Sequence, residues 1–340
     1  MADELVLVWV AAIVIGFLVL NQGAKFLTDN AVFVARKFRQ SRFVVGVLLV
    51  STLAALPEVL VSTIALKEGS PSIAMGNALS SSVVTLGFVI GLAAIMKPIK
   101  TTREIALRDA VFLATFALVS SILLLDGQLT IYEGIALIAL FVPYTLNLYI
   151  SQKEASPGEL EEKVRDLKIE LAMTGWLFGR RVSVLAGARW LVFGALWAVM
   201  GAQFIVQGAI KLSGELGIDP WILGITVVAF GTTLPDIAAS YHATRKGYSD
   251  LALGEGIGAN IVTMLLTLGI MGLLMPASFE ISRMLPMIIA VVGASFLLLI
   301  LMIGCKSIGK KTGLALIAIY VVTVVVNVLL FGNGHSSPFT

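Results

Sequence analysis

An acidic side chain set inside a long apolar run constrains a chain severely, because lipid gives a charge no solvation and such residues end up facing protein or a wet cavity. The stretch from Ser51 to Gly91 holds Glu58 and Asn77 in two such runs. The same design returns 178 residues later: Leu56-Pro57-Glu58 recurs as Leu234-Pro235-Asp236, and Gly76-Asn77 as Gly254-Glu255. The offset holds without a gap from Gly23-Ala24, matched by Gly201-Ala202, to Gly91, matched by Gly269. Two copies of a polar-interrupted membrane hairpin point to a transporter built from repeats.

Composition agrees with membrane solvation. Of 340 residues 58% are hydrophobic and only 13% charged, with a mean hydropathy of +0.97, far too apolar for an ordinary soluble domain. The formal charge of +3 forms no basic stripe, so nucleic acid is not expected as a partner and the lipid bilayer is. The single cysteine, Cys305, excludes an intrachain disulfide and a thiolate metal site, and reads as a small core residue. The start, MADELV, lacks a basic signal-peptide region, so its apolar run reads as a retained helix.

About 20 apolar residues cross a bilayer, and counting such runs predicts ten helices, over 4–34, 43–67, 70–97, 105–125, 129–152, 184–212, 219–244, 249–275, 280–304 and 312–332. Arg36, Lys37, Arg39 and Arg42 follow the first helix; Lys97, Lys100, Arg103 and Arg108 follow the third. Excess Lys and Arg marks both loops as cytoplasmic. Alternation then puts the 153–183 linker, the Arg245-Lys246 loop and the Lys306, Lys310, Lys311 loop on that side, with both termini outside. Five helices per half is odd, so the halves enter from opposite sides and are inverted repeats. The division is a first repeat at 1–152, a linker at 153–183, a second repeat at 184–332 and a polar tail at 333–340. Leu160, Val164, Leu167 and Leu171 fit an amphipathic cytoplasmic helix in the linker, with a solvated tether joining the two halves favoured over it. Trp9, Trp190, Trp197 and Trp221 read as apolar bulk or interface anchors, and His242 as helix-end packing.

Pro57 and Pro235 each remove a backbone donor and loosen their helix next to the acid. Thr232 and Thr233 precede the second bend, while small and polar residues including Ser81 and Asn260 follow Asn77 and Glu255 on the partner helices. Glu58, Asn77, Asp236 and Glu255 are expected to converge in mid-membrane. Oxygen ligands without imidazole or thiolate suit a hard cation, and flexible carboxylates suit Ca2+ better than Mg2+.

These motifs resemble those of the calcium/cation antiporters, which include sodium/calcium and proton/calcium exchangers and pair a Pro-acid motif in one helix with a Gly-Asn, Ser-rich stretch in the next. The resemblance implies an all-α integral membrane fold of ten helices in two inverted five-helix repeats, with alternating access, and the compact chain suits a prokaryotic member. Sodium exchangers of the family carry hydroxyls where this chain has Ala54 and Ala55, a Ser at Ala259, and Asn and Asp at Thr85 and Thr263. Glu255 stands in place of the usual Asn, and the Gly-Asn-Ala-Thr-Glu opening typical of the proton-coupled branch is absent. The expected function is Ca2+/H+ antiport without a cofactor and without enzyme chemistry. Glu58, Asp236 and Glu255 would take Ca2+ or protons, and Asn77, Ser81, Thr232, Thr233 and Asn260 would supply neutral oxygens. Na+/Ca2+ exchange is the alternative; a passive cation channel is a different class, with no filter loop to support it.

Overall fold

The computed structural model describes residues 2–37, 51–101, 106–154, 184–247, 249–305 and 307–332. The amphipathic-linker reading falls outside them. In the first half, α1 spans Ala2–Lys37 and the second crossing is split into α2 (Ser51–Ala54) and α3 (Leu56–Lys67). The third runs as α4 (Pro71–Val83), a π-helical turn at 84–89 and α5 (Ile90–Met96); a π turn at 106–110 leads into α6 (Val111–Leu123), and α7 is Ile131–Glu154. The second half repeats the series. It comprises α8 (Val184–Leu216), then α9 (Pro220–Leu223), a π turn at 224–228, α10 (Ala229–Thr232) and α11 (Leu234–Arg245). There follow α12 (Ser249–Val262), a π turn at 263–267, α13 (Leu268–Leu274), α14 (Ile281–Gly304) and α15 (Lys310–Phe331).

Each of the ten apolar runs is largely helical over its described residues. Among the described residues six are long and apolar enough to span without interruption, and the pair Pro220–Thr232 and Leu234–Arg245 makes a seventh, bent by 43°. Val111–Leu123 and Ile131–Leu146 are shorter apolar helices, and the crossing that holds Glu58 is described only from Ser51.

Two short antiparallel ribbons reveal how the halves are related. β1 (Ile99–Lys100) pairs with β4 (Ser307–Ile308), and β2 (Gln128–Leu129) pairs with β3 (Ala277–Ser278). The 178-residue offset carries β1 onto β3 and brings β2 to within one residue of β4, so it exchanges one ribbon for the other. The ribbons lie at opposite ends of the bundle. Lys97 Nζ donates to the Gly247 carbonyl (3.1 Å), Ser249 Oγ to the Pro98 carbonyl (3.2 Å) and Thr101 Oγ1 to the Cys305 carbonyl (2.6 Å), gathering the basic loops at the first end. At the other end Arg283 forms ion pairs with Asp219 and Glu280 beside β3. An operation that swaps the ends while matching the sequence is the inversion expected from the odd helix count.

Helices α1 and α8, themselves repeat mates, pack along each other's length. Glycines make that possible: a Cβ on Gly23 would collide with the backbone of Ala198, and one on Gly201 with the backbone of Leu20. Backbones that meet this closely gain van der Waals contact, the attraction lipid cannot supply through hydrophobicity. The two motif hairpins turn on Gly69 (φ 75°) and its mate Gly247 (φ 103°), both left-handed.

Three side-chain expectations need correction. Cys305 is exposed at the end of α14, not in the core, because the chain leaves the helix there to form β4. His242 is exposed, its ring 5.4 Å from Tyr241 rather than packed into the helix end. Trp221 is buried, but its indole N–H donates to Asn327 Oδ1 at 3.1 Å, so it is a polar tie between α9 and α15 as well as bulk.

Candidate ion-binding site

The site is built where the two bent crossings face the partner helices. Neither Pro57 nor Pro235 can donate to the carbonyl one turn earlier, and the helices break at Ala55 and at Thr233. Both prolines lie in the first turn of the new helix, where a missing N–H costs nothing. Each acid follows its proline directly, which sets Glu58 and Asp236 in the first turns of α3 and α11. Here the positive end of the helix dipole favours a negative charge.

Glu58 is 3% exposed and Asp236 half-buried, and the two carboxylates are near enough for their charges to act on each other. Asn77, fully buried on α4, joins the repeats. Its Nδ2 donates to Ser62 Oγ at 2.9 Å and lies 3.4 Å from the Glu58 carbonyl oxygen, while its Oδ1 faces the Thr232 hydroxyl at 3.1 Å. The Thr232 hydroxyl also lies within hydrogen-bonding reach of the Glu58 carboxylate. This contact depends on close backbones: a Cβ on Gly76 would stand 3.1 Å from Gly224 Cα, so α4 and the π turn at 224–228 meet with no side chain between them. Ser80 Oγ seals the same contact through the Ile225 carbonyl at 2.6 Å. The ring of Phe17 on α1 covers Gly231, immediately before the break.

The other sequence-derived candidates are placed as follows. Thr233 is buried and its hydroxyl donates to its own helix at the Ala229 carbonyl (2.6 Å); Ser81 is buried and does the same at Ala78 (3.2 Å). Asn260, 1% exposed, donates through Nδ2 to the Ser82 carbonyl at 2.8 Å, while its Oδ1 is buried without a hydrogen-bond partner. Ser82 and Asn260 are repeat mates, so this bond lies beside the pseudo-twofold axis. Glu255 is half-buried on α12. Among the described residues no three His, Cys, Asp or Glu side chains stand close enough to hold a metal ion, so the three carboxylates do not close on one point. Hydrogen bonds and close charges gather Glu58, Asp236, Asn77 and Thr232 instead. Ser62, four residues beyond Glu58 on the same face, belongs to this group; its spacing was the signal that could have found it.

The twofold is imperfect at the site. The mates of Asn77, Ser62 and Thr232 are Glu255, Ser240 and Ala54, so the amide-centred network is built once only. Ala55 packs with Val262 and Leu266 in a small apolar cluster and contributes no oxygen. Thr85 and Thr263, also mates, are buried in the π turns that follow α4 and α12.

Inverted five-helix repeats, with a polar site at paired helix breaks, define a secondary transporter of the cation-exchanger class. The profile of the sodium/calcium exchanger protein family matches the chain twice, over residues 8–150 and 187–329, and the chain belongs to that family. It is similar to the inner membrane protein YrbG of Escherichia coli, with 29% identity across 79% of this chain and 81% of that protein. It is also similar to the sodium/calcium exchanger MaX1 of Methanosarcina acetivorans, with 27% identity across 92% and 97% of the two chains. Among solved structures, that of the sodium-calcium exchanger NCX_Mj soaked with Na+ and Sr2+ superposes with a TM-score of 0.61 at 26% identity, covering 94% of this chain and 99% of that one.

Proposed function

We propose that the protein exchanges Ca2+ for protons across the cell membrane, with Glu58, Asp236 and Glu255 as the groups that take either ion. The observation that carries this reading is the Glu58–Asp236 pair held among neutral oxygens, beside an apolar Ala55 where sodium exchangers have a hydroxyl. Na+ must be caged by several oxygens, whereas a proton needs one carboxylate. Two protons neutralise two carboxylates and Ca2+ does the same with its own charge; an empty, ionised site is too costly to carry past the low-dielectric barrier. That cost ties the two fluxes together. Asn77, Thr232, Thr233, Ser81 and Asn260 supply or position neutral oxygens in this reading. Loop charge puts the end that holds Lys97, Gly247 and Cys305 in the cytoplasm and both termini outside, with repeats at 1–152 and 184–332 joined by the 153–183 linker.

The test is uptake of radiolabelled Ca2+ by proteoliposomes under a pH gradient, and in a matched set under a sodium gradient at constant pH. Uptake driven by pH alone is expected, and Glu58→Gln and Glu255→Gln should each abolish it while expression stays intact. Sodium-driven uptake at constant pH would instead favour Na+/Ca2+ exchange, the reading that the names of MaX1 and NCX_Mj support.

A further inference from the structure

Helix α11 runs from the break beside Asp236 to Arg245 at the end of the molecule that bears the basic loops. Asp236, Ser240 and Thr244 follow one another at four-residue steps, which puts them on one face with neighbouring side chains about 6 Å apart and the whole file about 12 Å long. Ser240 and Thr244 are each 2% exposed, and both hydroxyls are buried without a hydrogen-bond partner. Two stranded hydroxyls at this spacing are what a single bridging water between each pair would satisfy, since buried water occupies polar gaps that offer two or more partners. Protein interiors rarely leave such groups unmet otherwise.

The surroundings favour a narrow file. α12, α5 and the π turn at 84–89 pack against α11. From 84 to 96 the last two contribute no titratable group, and Thr85 is their only polar side chain. α12 contributes Glu255, and the first hairpin, where Asn77 bonds Ser62, shows the register that sets Glu255 level with Ser240. On α11 itself His242 and Arg245 are exposed, and Lys246 and the Lys97 amine lie at the mouth, the latter bonded to the Gly247 carbonyl. The first repeat has no such file: the mates of Ser240 and Thr244 are Ser62, whose hydroxyl is taken by Asn77, and Leu66.

We propose that this face of α11 carries a file of water molecules joining the site at the level of Asp236 to the aqueous phase at the Arg245 end. In the proton-coupled exchange proposed above, on which this use of it rests, the file is the way protons reach the site, too narrow for hydrated Ca2+, which follows another route.

Two measurements separate the path from its use. On a Cys305→Ser background, Ser240→Cys is exposed to Ag+, an ion of about the girth of a water molecule, added to the membrane side from which Cys305 of the unaltered chain is labelled. Loss of transport on that addition, absent in the Cys305→Ser parent, is expected; no effect overturns the path whatever the coupling ion. In proteoliposomes, Ser240→Ala with Thr244→Val should lower pH-driven Ca2+ uptake about tenfold while Ca2+/Ca2+ self-exchange stays within about twofold, and Ser240→Thr with Thr244→Ser should restore it. An equal fall in both fluxes, or in neither, overturns the proton role. Self-exchange also reports that the variants fold. Reaction of Ser240→Cys with Ag+, together with no pH-driven uptake by the unaltered protein, leaves the water file standing and removes the proton-coupled reading.

Discussion

One amide, that of Asn77, turns two hairpins into one site: it binds Ser62 of its own repeat and meets Thr232 of the other. Asn77→Ala breaks both contacts of the bridge: the buried Ser62 hydroxyl loses its amide donor, at a cost of about 1–3 kcal/mol, while the Thr232 hydroxyl keeps only the carbonyl of Ala229 and the carboxylate of its own site. Thr232→Val strands only Asn77 Oδ1. The expected order is therefore a fall of about tenfold or more in Ca2+ uptake for Asn77→Ala and a smaller one for Thr232→Val, measured by flux together with thermal unfolding; equal losses would contradict the bridging role. If oxygen count selects the counter-ion, Ala54→Thr, Ala55→Ser and Ala259→Ser in combination should raise sodium-driven relative to pH-driven Ca2+ uptake. Ala55→Ser alone places a hydroxyl against Val262 and Leu266 and should lower stability by about 1 kcal/mol. Glu58, Asn77 and Asp236 were legible because polar groups stand out in apolar runs. Ser62 was not, since a serine in a membrane helix usually satisfies itself on its own backbone.

At the scale of elements, the helix breaks were legible from Pro57 and Pro235, and the structure puts them at Ala55 and Thr233. The π turns at 84–89 and 263–267 were not, because an i to i+5 hydrogen bond leaves no compositional mark; they occur at repeat-related places that hold Thr85 and Thr263. Nor could sequence pair α1 with α8, although the glycines that allow the pairing were visible. Gly201→Val is the test of that contact. Its side chain would meet the Leu20 backbone and stand 2.7 Å from the Gly16 carbonyl oxygen, and neither can yield as a side-chain tip would. Separated helices, a lower unfolding temperature and lost transport are expected. Gly214→Ala, on the same helix with nothing within 4 Å of the added carbon, should leave both unchanged. Across the same helix, Gln203 and Gln207 bind the two oxygens of Glu68 at 2.9 and 2.6 Å, tying α8 to the turn of the first hairpin.

For the whole molecule, inversion is the property from which the rest follows. A pseudo-twofold that exchanges the β1–β4 ribbon for the β2–β3 ribbon puts each end of the bundle in correspondence with the other. The carboxylates beside the two prolines then fall near the middle of the bundle, Glu58 buried and Asp236 half-buried. Large apolar side chains such as Leu7, Leu18, Val192 and Leu329 are exposed along the outer helices, as lipid contact requires. The sequence predicted the inversion by counting helices and charges; the ribbons supply an independent reason, because they can pair only if loops 97–101 and 305–308 share one side and loops 126–129 and 276–279 share the other. Sidedness is therefore a testable consequence of strand pairing. An impermeant thiol reagent should label Cys305 from the cytoplasmic face, the side assigned by Lys and Arg. Asp126→Cys on a Cys305→Ser background should label from the opposite face. Labelling of both from one face would break the twofold, since no inverted arrangement puts β2 and β4 on the same side.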